Sequence, residues 1–160
     1  MPNPHRLFLL LAFASPLCLA AETPPATPGQ PSPHYDAALA QRLGADDYGM
    51  RSYVLVLLRS SGHPVPKGPE RDAMFKGHMA NMHRLAEAGT LVMAGPLDGR
   101  EGLRGLFVFA VKNIAEARAL VASDPVIAQG EMVAEYHDFY SSAALMQINA
   151  LHERLARKPF

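Results

Sequence analysis

Three short motifs in the second half of the chain carry the side chains that could do chemistry. They are His78-Met79-Ala80-Asn81, Met93-Ala94-Gly95-Pro96-Leu97 and Ser123-Asp124-Pro125. An imidazole that exchanges a proton near neutral pH, oriented by a carboxylate, is the minimum equipment for general acid–base catalysis. His78 and Asp124 are therefore the candidate catalytic pair, provided that folding brings them together.

Each member of this pair also has a purely structural interpretation. At about 100° per residue, His78 lies about 60° around a predicted helix from Phe75, at the shoulder of the apolar stripe. A boundary histidine with one satisfied nitrogen is the alternative there. Asp124 precedes Pro125, which is typical of a helix N-cap. Capping and catalysis are compatible at Asp124, because a carboxylate has several acceptor sites.

Five further residues are candidates for substrate binding: Asn81, Gly95, Pro96, His137 and Tyr140. A glycine at a strand end lets a ligand approach the backbone closely, although a Gly-Pro pair also simply marks a turn. Asn81 lies one helical turn beyond His78 and could equally be a solvated surface residue. His137 and Tyr140, on the last predicted strand, have core or interface positions as their alternative.

The sequence predicts neither a metal nor a cofactor. His78 and His83 are five residues apart, whereas a spacing of four would place both rings together for zinc. The only cysteine is Cys18, in the amino-terminal segment. No Gly-x-Ser-x-Gly nucleophile motif and no Gly-x-x-x-x-Gly-Lys phosphate loop is present in the sequence.

The charge balance argues against a polyanionic partner. The chain has 160 residues, with 15 basic and 15 acidic side chains and a formal net charge of zero. No cluster of Lys and Arg is present, so neither nucleic acid nor an anionic lipid surface is predicted as a partner. This length allows one domain with extensions.

Residues 1–21 are predicted to be a signal peptide. His5 and Arg6 precede the apolar run 7–14, and small residues follow at Ala20-Ala21, where cleavage is expected. The run is shorter than the about 20 residues that span a bilayer, although a retained anchor is the alternative. We expect a periplasmic or secreted protein, without cysteine and without stable membrane insertion after cleavage.

Residues 22–48 are predicted to be a proline-rich linker that ends in a short helix at 35–43, with Gly44 as its stop. Strands are predicted at 53–58, 91–94, 106–111 and 132–140, and helices at 69–88 and 113–123. This order favours an α+β, ferredoxin-like βαββαβ domain over residues 49–140, with an antiparallel four-stranded sheet. Residues 141–160 are predicted to form a C-terminal helical extension, capped by Ser141 or Ser142.

The last strand suggests how the second face of the sheet is covered. Its two alternating sets of side chains both mix apolar and polar groups, so neither set is a purely solvated face. A second subunit stacked on that face, leaving a polar pocket, would account for the mixture. We therefore expect a homodimer.

As a set, these motifs resemble the YCII-related (YciI-like) family over roughly residues 50–140. The resemblance rests on Tyr53-Val54-Leu55, Gly77-His78-Met79, Ala88-Gly89-Thr90-Leu91, Ala94-Gly95-Pro96-Leu97, Gly105-Leu106-Phe107-Val108-Phe109, Glu116-Ala117 and Ser123-Asp124-Pro125 with Gly130 beyond. The chain departs from the family near the end of the last strand. Members often have an aromatic residue after a proline there, where this chain has His137-Asp138-Phe139-Tyr140.

The resemblance implies a ferredoxin-like fold that dimerises like the dimeric α/β barrels. It also implies a His–Asp site, which maps onto His78 and Asp124. Members with an assigned activity resemble dehydrochlorinases or lactone-isomerase-like enzymes that act on small ring compounds without a metal. We expect an exported enzyme of proton transfer on a small molecule, or alternatively a non-catalytic module that binds a small ligand or a partner.

Overall fold

The computed structural model describes residues 32–158. The predicted signal peptide and residues 22–31 of the predicted linker lie outside the described residues, and the folded unit that carries the candidate site begins at Asp36. Its main elements, in chain order, are α1 (Ala37–Leu43), β1 (Met50–Ser60), α2 (Pro69–Glu87), β2 (Leu91–Pro96), β3 (Leu103–Phe109), α3 (Ile114–Ala122), α4 (Pro125–Ala128), β4 (Met132–Ser142) and α5 (Ile148–Leu155).

The four strands form one antiparallel sheet in the order β2-β3-β1-β4. The long strand β1 is central and pairs with β3 on one side and β4 on the other. Helix α2 connects β1 to β2, and α3 connects β3 to β4. In each case one other strand lies between the two connected strands in the sheet. This arrangement confirms the predicted α+β, ferredoxin-like βαββαβ fold.

The main core lies between the helices and one face of the sheet. Successive side chains of a strand point to opposite faces. The alternate residues Val54, Val56 and Leu58 of β1 accordingly pack under the helices. The same core contains Met74, Leu85, Leu91, Phe107, Phe109, Ala117, Val121, Val126 and Met132.

The opposite face of the sheet carries a smaller cluster around Tyr53, Val92 and Val108. Leu145 and Met146 pack against this cluster. They belong to a 3-10 helix at Ala143–Gln147 that precedes α5. One part of this face is therefore covered by the chain's own C-terminal segment.

Most local signals act as the sequence predicts. Pro69 occupies the first turn of α2, and the Asn113 side chain caps α3 by accepting the Glu116 N–H at 2.9 Å. Gly44 ends α1 with a φ of 66°, in the left-handed region that favours glycine.

The C-terminal extension differs from the prediction. Strand β4 continues to Ser142, because β1 begins at Met50 and offers it a partner along its whole length. Ser142 does cap the next element, but that element is the 3-10 helix, and α5 begins only at Ile148. Among residues 32–158, no helix has the length and apolar character needed to cross a membrane.

Candidate active site

The imidazole of His78 lies on the buried side of α2, between two aromatic rings. The Phe75 ring meets it edge-on, with ring centroids 6.3 Å apart, and the Phe107 ring of β3 lies 6.0 Å away. The side chain nevertheless keeps 11% of its surface exposed. His78 is thus the boundary residue that its helical position predicts, at the edge of the core.

Asp124 receives this imidazole while it caps a helix. Nδ1 of His78 lies 2.9 Å from Oδ1 and 3.0 Å from Oδ2 of the carboxylate. The same carboxylate accepts the Val126 N–H at 3.1 Å, which makes Asp124 the N-cap of α4. Its side chain is 1% exposed. The capping role and the pairing with His78 therefore coexist, as the several lone pairs of a carboxylate allow.

The pairing fixes which nitrogen of the imidazole is free to act. Because the carboxylate accepts at Nδ1, the proton of the neutral ring lies there and Nε2 carries the lone pair. Nε2 has no hydrogen-bond partner within residues 32–158. In that part of the chain the one fully buried side-chain polar atom without a partner is Nε of Arg51. If Nε2 of His78 were fully buried it would be a second such atom, so Nε2 keeps some surface accessible to solvent.

Asn81 lies next to the pair and supports it. Its Nδ2 donates to Oδ2 of Asp124 at 3.0 Å, and its Oδ1 accepts from Nη2 of Arg84 at 2.7 Å. Both ends of the amide are thus engaged by protein groups. The structure places Asn81 as a residue that orients Asp124, and a direct contact with substrate stays a prediction.

Gly77 permits the close approach of the two elements that carry the pair. A Cβ added at Gly77 would lie 3.0 Å from Cγ of Pro125, tighter than nine in ten real contacts of a Cβ atom. The absence of a side chain therefore lets α2 approach α4. In the sequence Gly77 belongs to the motif Gly77-His78-Met79, which does not by itself predict this role.

Gly95 and Pro96 lie at the end of β2, opposite Leu106 and Gly105 of β3. Gly95 shares the face of Leu106, which packs in the cluster on the sheet face away from the helices. A Cβ added at Gly95 would meet no atom within 4 Å. The open space that the prediction requires is present, but it is on the face opposite to His78.

His137 and Tyr140 both contact other groups than the His–Asp pair. His137 pairs with Leu55 on the sheet face away from the helices, and its Nε2 lies 2.9 Å from Oε1 of Glu135. The Tyr140 hydroxyl donates to the carboxylate of Asp46, and this hydrogen bond raises the pKa of Tyr140. Neither residue joins the His–Asp pair, so their roles in substrate binding stay predictions.

A second carboxylate is buried, Glu131, and it is not among the residues that the sequence predicts for the site. Its side chain has no exposed surface, and it accepts from Nη2 of Arg71 at 2.5 Å and from the Val65 N–H at 2.7 Å. Burial pushes its pKa up, but these hydrogen bonds and the charges of Arg71 and Arg104 outweigh burial and hold the pKa below its usual value. The signal that could have found this cluster is the position of Arg71, two helical turns before His78 on the same helix.

An apolar cavity of about 240 Å³ lies between α2, β2 and α5. Its apolar lining includes Met79 and Met82 of α2, Leu91 and Met93 of β2, and Ile148 of α5. Polar side chains also line it, at His83, Asn149 and His152. Its side of α2 adjoins the side that carries His78, since Met82 lies one helical turn after His78. Within the described range, no three His, Cys, Asp or Glu side chains lie close enough together to hold a metal ion.

Fold and site together define a ferredoxin-like α+β domain with a buried His–Asp pair under its helices. The family model of the YCII-related domain matches residues 53–139. The match covers more than half of the chain and includes both His78 and Asp124, so the chain belongs to the YCII-related family. Among curated proteins, none matches the chain significantly.

Proposed function

We propose that the protein is an enzyme of small-molecule proton transfer, which uses His78 and Asp124 without a metal to catalyse an isomerisation or an elimination. The observation that supports this proposal is the buried contact of Nδ1 of His78 with both oxygens of Asp124. A carboxylate at Nδ1 holds the ring in one tautomer and stabilises the imidazolium that forms during reaction. Family membership adds support, because both residues lie within the matched domain.

In this mechanism Nε2 of His78 removes a proton from an acidic C–H bond of the substrate. In an elimination, the C–H electron pair becomes the new double bond and the leaving group departs with its own electron pair. In an isomerisation, the imidazolium returns the proton to a different atom of the same substrate. A positioned acid–base group contributes about 10² to 10⁴-fold to the rate of such steps.

The experiment is a screen of small lactones, and of halogenated ring compounds with an acidic C–H bond next to the carbon that bears the halogen, in D₂O. Deuterium uptake, rearrangement or halide release is followed by NMR. Any compound that is turned over is then tested with His78→Asn and Asp124→Asn. We expect the rate to fall about 10² to 10⁴-fold in both variants. The folded state is checked by circular dichroism.

The matched controls are Asp36→Asn and His34→Gln. Asp36 caps α1 by accepting the Leu39 N–H at 2.9 Å, so its amide variant repeats the loss of a capping carboxylate outside the site. His34 is exposed. Full turnover in the folded His78→Asn variant would remove the mechanism.

A second candidate function, a non-catalytic binding module, is favoured by the apolar cavity beside α2. A cavity of about 240 Å³ with methionine walls suits a small apolar ligand. In that case small ring compounds raise the melting temperature of wild type and His78→Asn equally, no compound is turned over, and Met82→Arg abolishes the effect.

We also propose that the protein is exported and acts in the periplasm or after secretion, as a homodimer. Residues 1–21 have the charge, apolar run and small-residue exit of a signal peptide. The dimer is supported by the apolar side chains that the sheet exposes on the face away from the helices, such as Val133.

A further inference from the structure

Two arginines share the one buried carboxylate of Glu131. Nη2 of Arg71 lies 2.5 Å and Nη1 of Arg104 lies 3.9 Å from the same Oε1 atom. Within residues 32–158, no other acidic side chain lies within 4.0 Å of either guanidinium. The cluster therefore has one positive charge in excess.

The two guanidinium groups are accessible, whereas the carboxylate beneath them is not. The side chains of Arg71 and Arg104 are 25% and 35% exposed, and that of Glu131 is 0% exposed. Oε2 of Glu131 is already occupied by the Val65 N–H. A guanidinium has five N–H donors, and one nitrogen of each arginine contacts Glu131, so both arginines keep donors that Glu131 does not use. The buried carboxylate thus fixes two cations that can still bind an anion.

The position of Arg104 depends on an irregularity in the sheet. The pairing of β1 with β3 shifts between Leu58 and Arg59, which face Gly105 and Leu103 respectively. Arg104 is the extra residue of this bulge, and such bulges re-aim side chains. Its Nη1 also lies 3.4 Å from Oγ of Ser60 at the end of β1.

This cluster is connected to the proposed catalytic imidazole through a single ring. The Arg71 guanidinium lies over the Phe75 ring, with Cζ 4.9 Å from the ring centroid. The same ring meets His78 edge-on at 6.3 Å. Because Arg71, Phe75 and His78 follow one another at i, i+4 and i+7, they line one side of α2. Phe75 is only half-buried, so it can pack against a planar ligand.

We propose that Arg71 and Arg104 bind an anionic group of the substrate, so that the substrate is a small planar ring compound with a carboxylate. This inference rests on the proposed function of His78 and names the substrate class of that same site. The ring packs on Phe75, the carboxylate neutralises the excess charge, and the reacting C–H bond faces Nε2 of His78. A carboxylate and a guanidinium match in geometry, which makes arginine the preferred residue for this recognition.

The test uses benzoate as the probe and benzamide as its uncharged counterpart, with the full chain labelled with ¹⁵N. Binding is followed through the side-chain resonances of His78. We expect benzoate to shift these resonances and benzamide to bind at least tenfold more weakly. Arg104→Met should weaken benzoate binding about tenfold, since it removes a charged hydrogen-bond donor and leaves the Arg71–Glu131 pair intact.

The matched control is Arg100→Met, which removes the same charge from an arginine whose side chain is 88% exposed. It should leave benzoate binding unchanged. Because Arg71→Met alone strands a buried carboxylate, Arg71 is tested in the double variant Arg71→Met/Glu131→Gln, where benzoate binding should be lost. Equal binding of benzoate and benzamide, no binding of benzoate, or an unchanged affinity in Arg104→Met overturns the inference.

The outcome also separates this inference from the proposed function. Benzoate binding does not require proton transfer, so His78→Asn should retain it, which titration calorimetry measures without the His78 resonances. Turnover that depends on His78 but acts only on uncharged compounds would contradict the proposed anion site and still support the proposed proton-transfer function. Benzoate binding at Arg104 without turnover of any carboxylate would support the anion site and count against the catalytic proposal.

Discussion

The residue at the centre of the site is Asp124, which accepts from three donors with one carboxylate. His78, Asn81 and the Val126 N–H together hold both of its oxygens. Donors on both oxygens fix the orientation of the carboxylate, and the carboxylate in turn fixes the imidazole. The geometry of the His78–Asp124 pair therefore depends on a small hydrogen-bond network that extends through Asn81 to Arg84.

Glu131 is expected to contribute stability that depends on pH. The variant Glu131→Gln should lose about 2–3 kcal/mol at pH 7, because it removes the negative charge beside Arg71 and one of the two oxygens that accept from Arg71 and the Val65 N–H. Its pKa lies below the ordinary value of 4.5 in the folded state. The contribution is therefore fully present above about pH 4.5 and is lost as the pH falls through the lower folded pKa.

Urea unfolding from pH 7 to pH 3 measures this effect as the difference between wild type and variant. The difference should be constant down to about pH 4.5 and then shrink. Glu135→Gln is the control, because its carboxylate and both of its partners, Arg59 at 3.9 Å and His137 at 2.9 Å, are half-exposed, so it should cost less than about 1 kcal/mol. A difference between wild type and Glu131→Gln that does not change with pH would contradict the prediction.

At the scale of elements, the site depends on how closely α2 approaches α4. Gly77→Ala should lower turnover about tenfold, because the new Cβ would meet Cγ of Pro125 at 3.0 Å and push Asp124 from His78. Stability should change by less than about 1 kcal/mol, since alanine is the better helix former by about that amount and offsets the strain. Steady-state rates and thermal unfolding measure the two effects.

The double variant Gly77→Ala/Pro125→Ala is the internal control of this experiment. Alanine at position 125 lacks the Cγ atom, and the remaining Cβ lies 3.7 Å from the added atom, an ordinary contact. Turnover should then return toward that of Pro125→Ala alone. Full turnover in Gly77→Ala would show that the approach of the two helices does not limit the reaction.

At the scale of the whole molecule, the open face of the sheet supports the proposed homodimer. Val133 is 52% exposed on this face, and Leu57 and Leu106 are only half-buried there. Sedimentation should give the mass of a dimer for wild type, whereas Val133→Lys should give a monomer because it places a charge in an apolar contact. Leu155→Lys, at an exposed position of α5, is the control that should stay dimeric. A monomeric wild type at micromolar concentration would contradict the proposal.

The proposed export predicts the compartment in which the mature chain is found and the residue at which it begins. Expression in a Gram-negative host, followed by fractionation, should place the protein in the periplasm, with Ala21 or Glu22 as its first residue. Amino-terminal sequencing measures the cleavage site directly. Replacement of Leu9 and Leu10 by Asp should block export, because the apolar run is what the export machinery recognises. A full-length protein retained in the cytoplasm would contradict the prediction.

The sequence by itself determined the order of the elements and the identity of the central pair. Hydrophobic period, caps and glycine stops act over a few residues, so Asn113 with Glu116 and Asp124 with Pro125 could be interpreted locally. The ferredoxin-like topology then followed from the order of strands and helices. His78 and Asp124 were candidates because their residue types suit proton transfer and each lies at the edge of a buried element.

Only the tertiary structure decided which candidates meet. The alternation of side chains along a strand shows which residues share a face with His137. Only the pairing of β4 with β1 shows that this face is the one away from His78. Glu131 and Arg71 are 60 residues apart along the chain, and no local pattern couples them. Contacts of this kind depend on the long-range approach of elements, which short sequence periods do not encode. For that reason the proton-transfer pair was predictable and its surroundings were not.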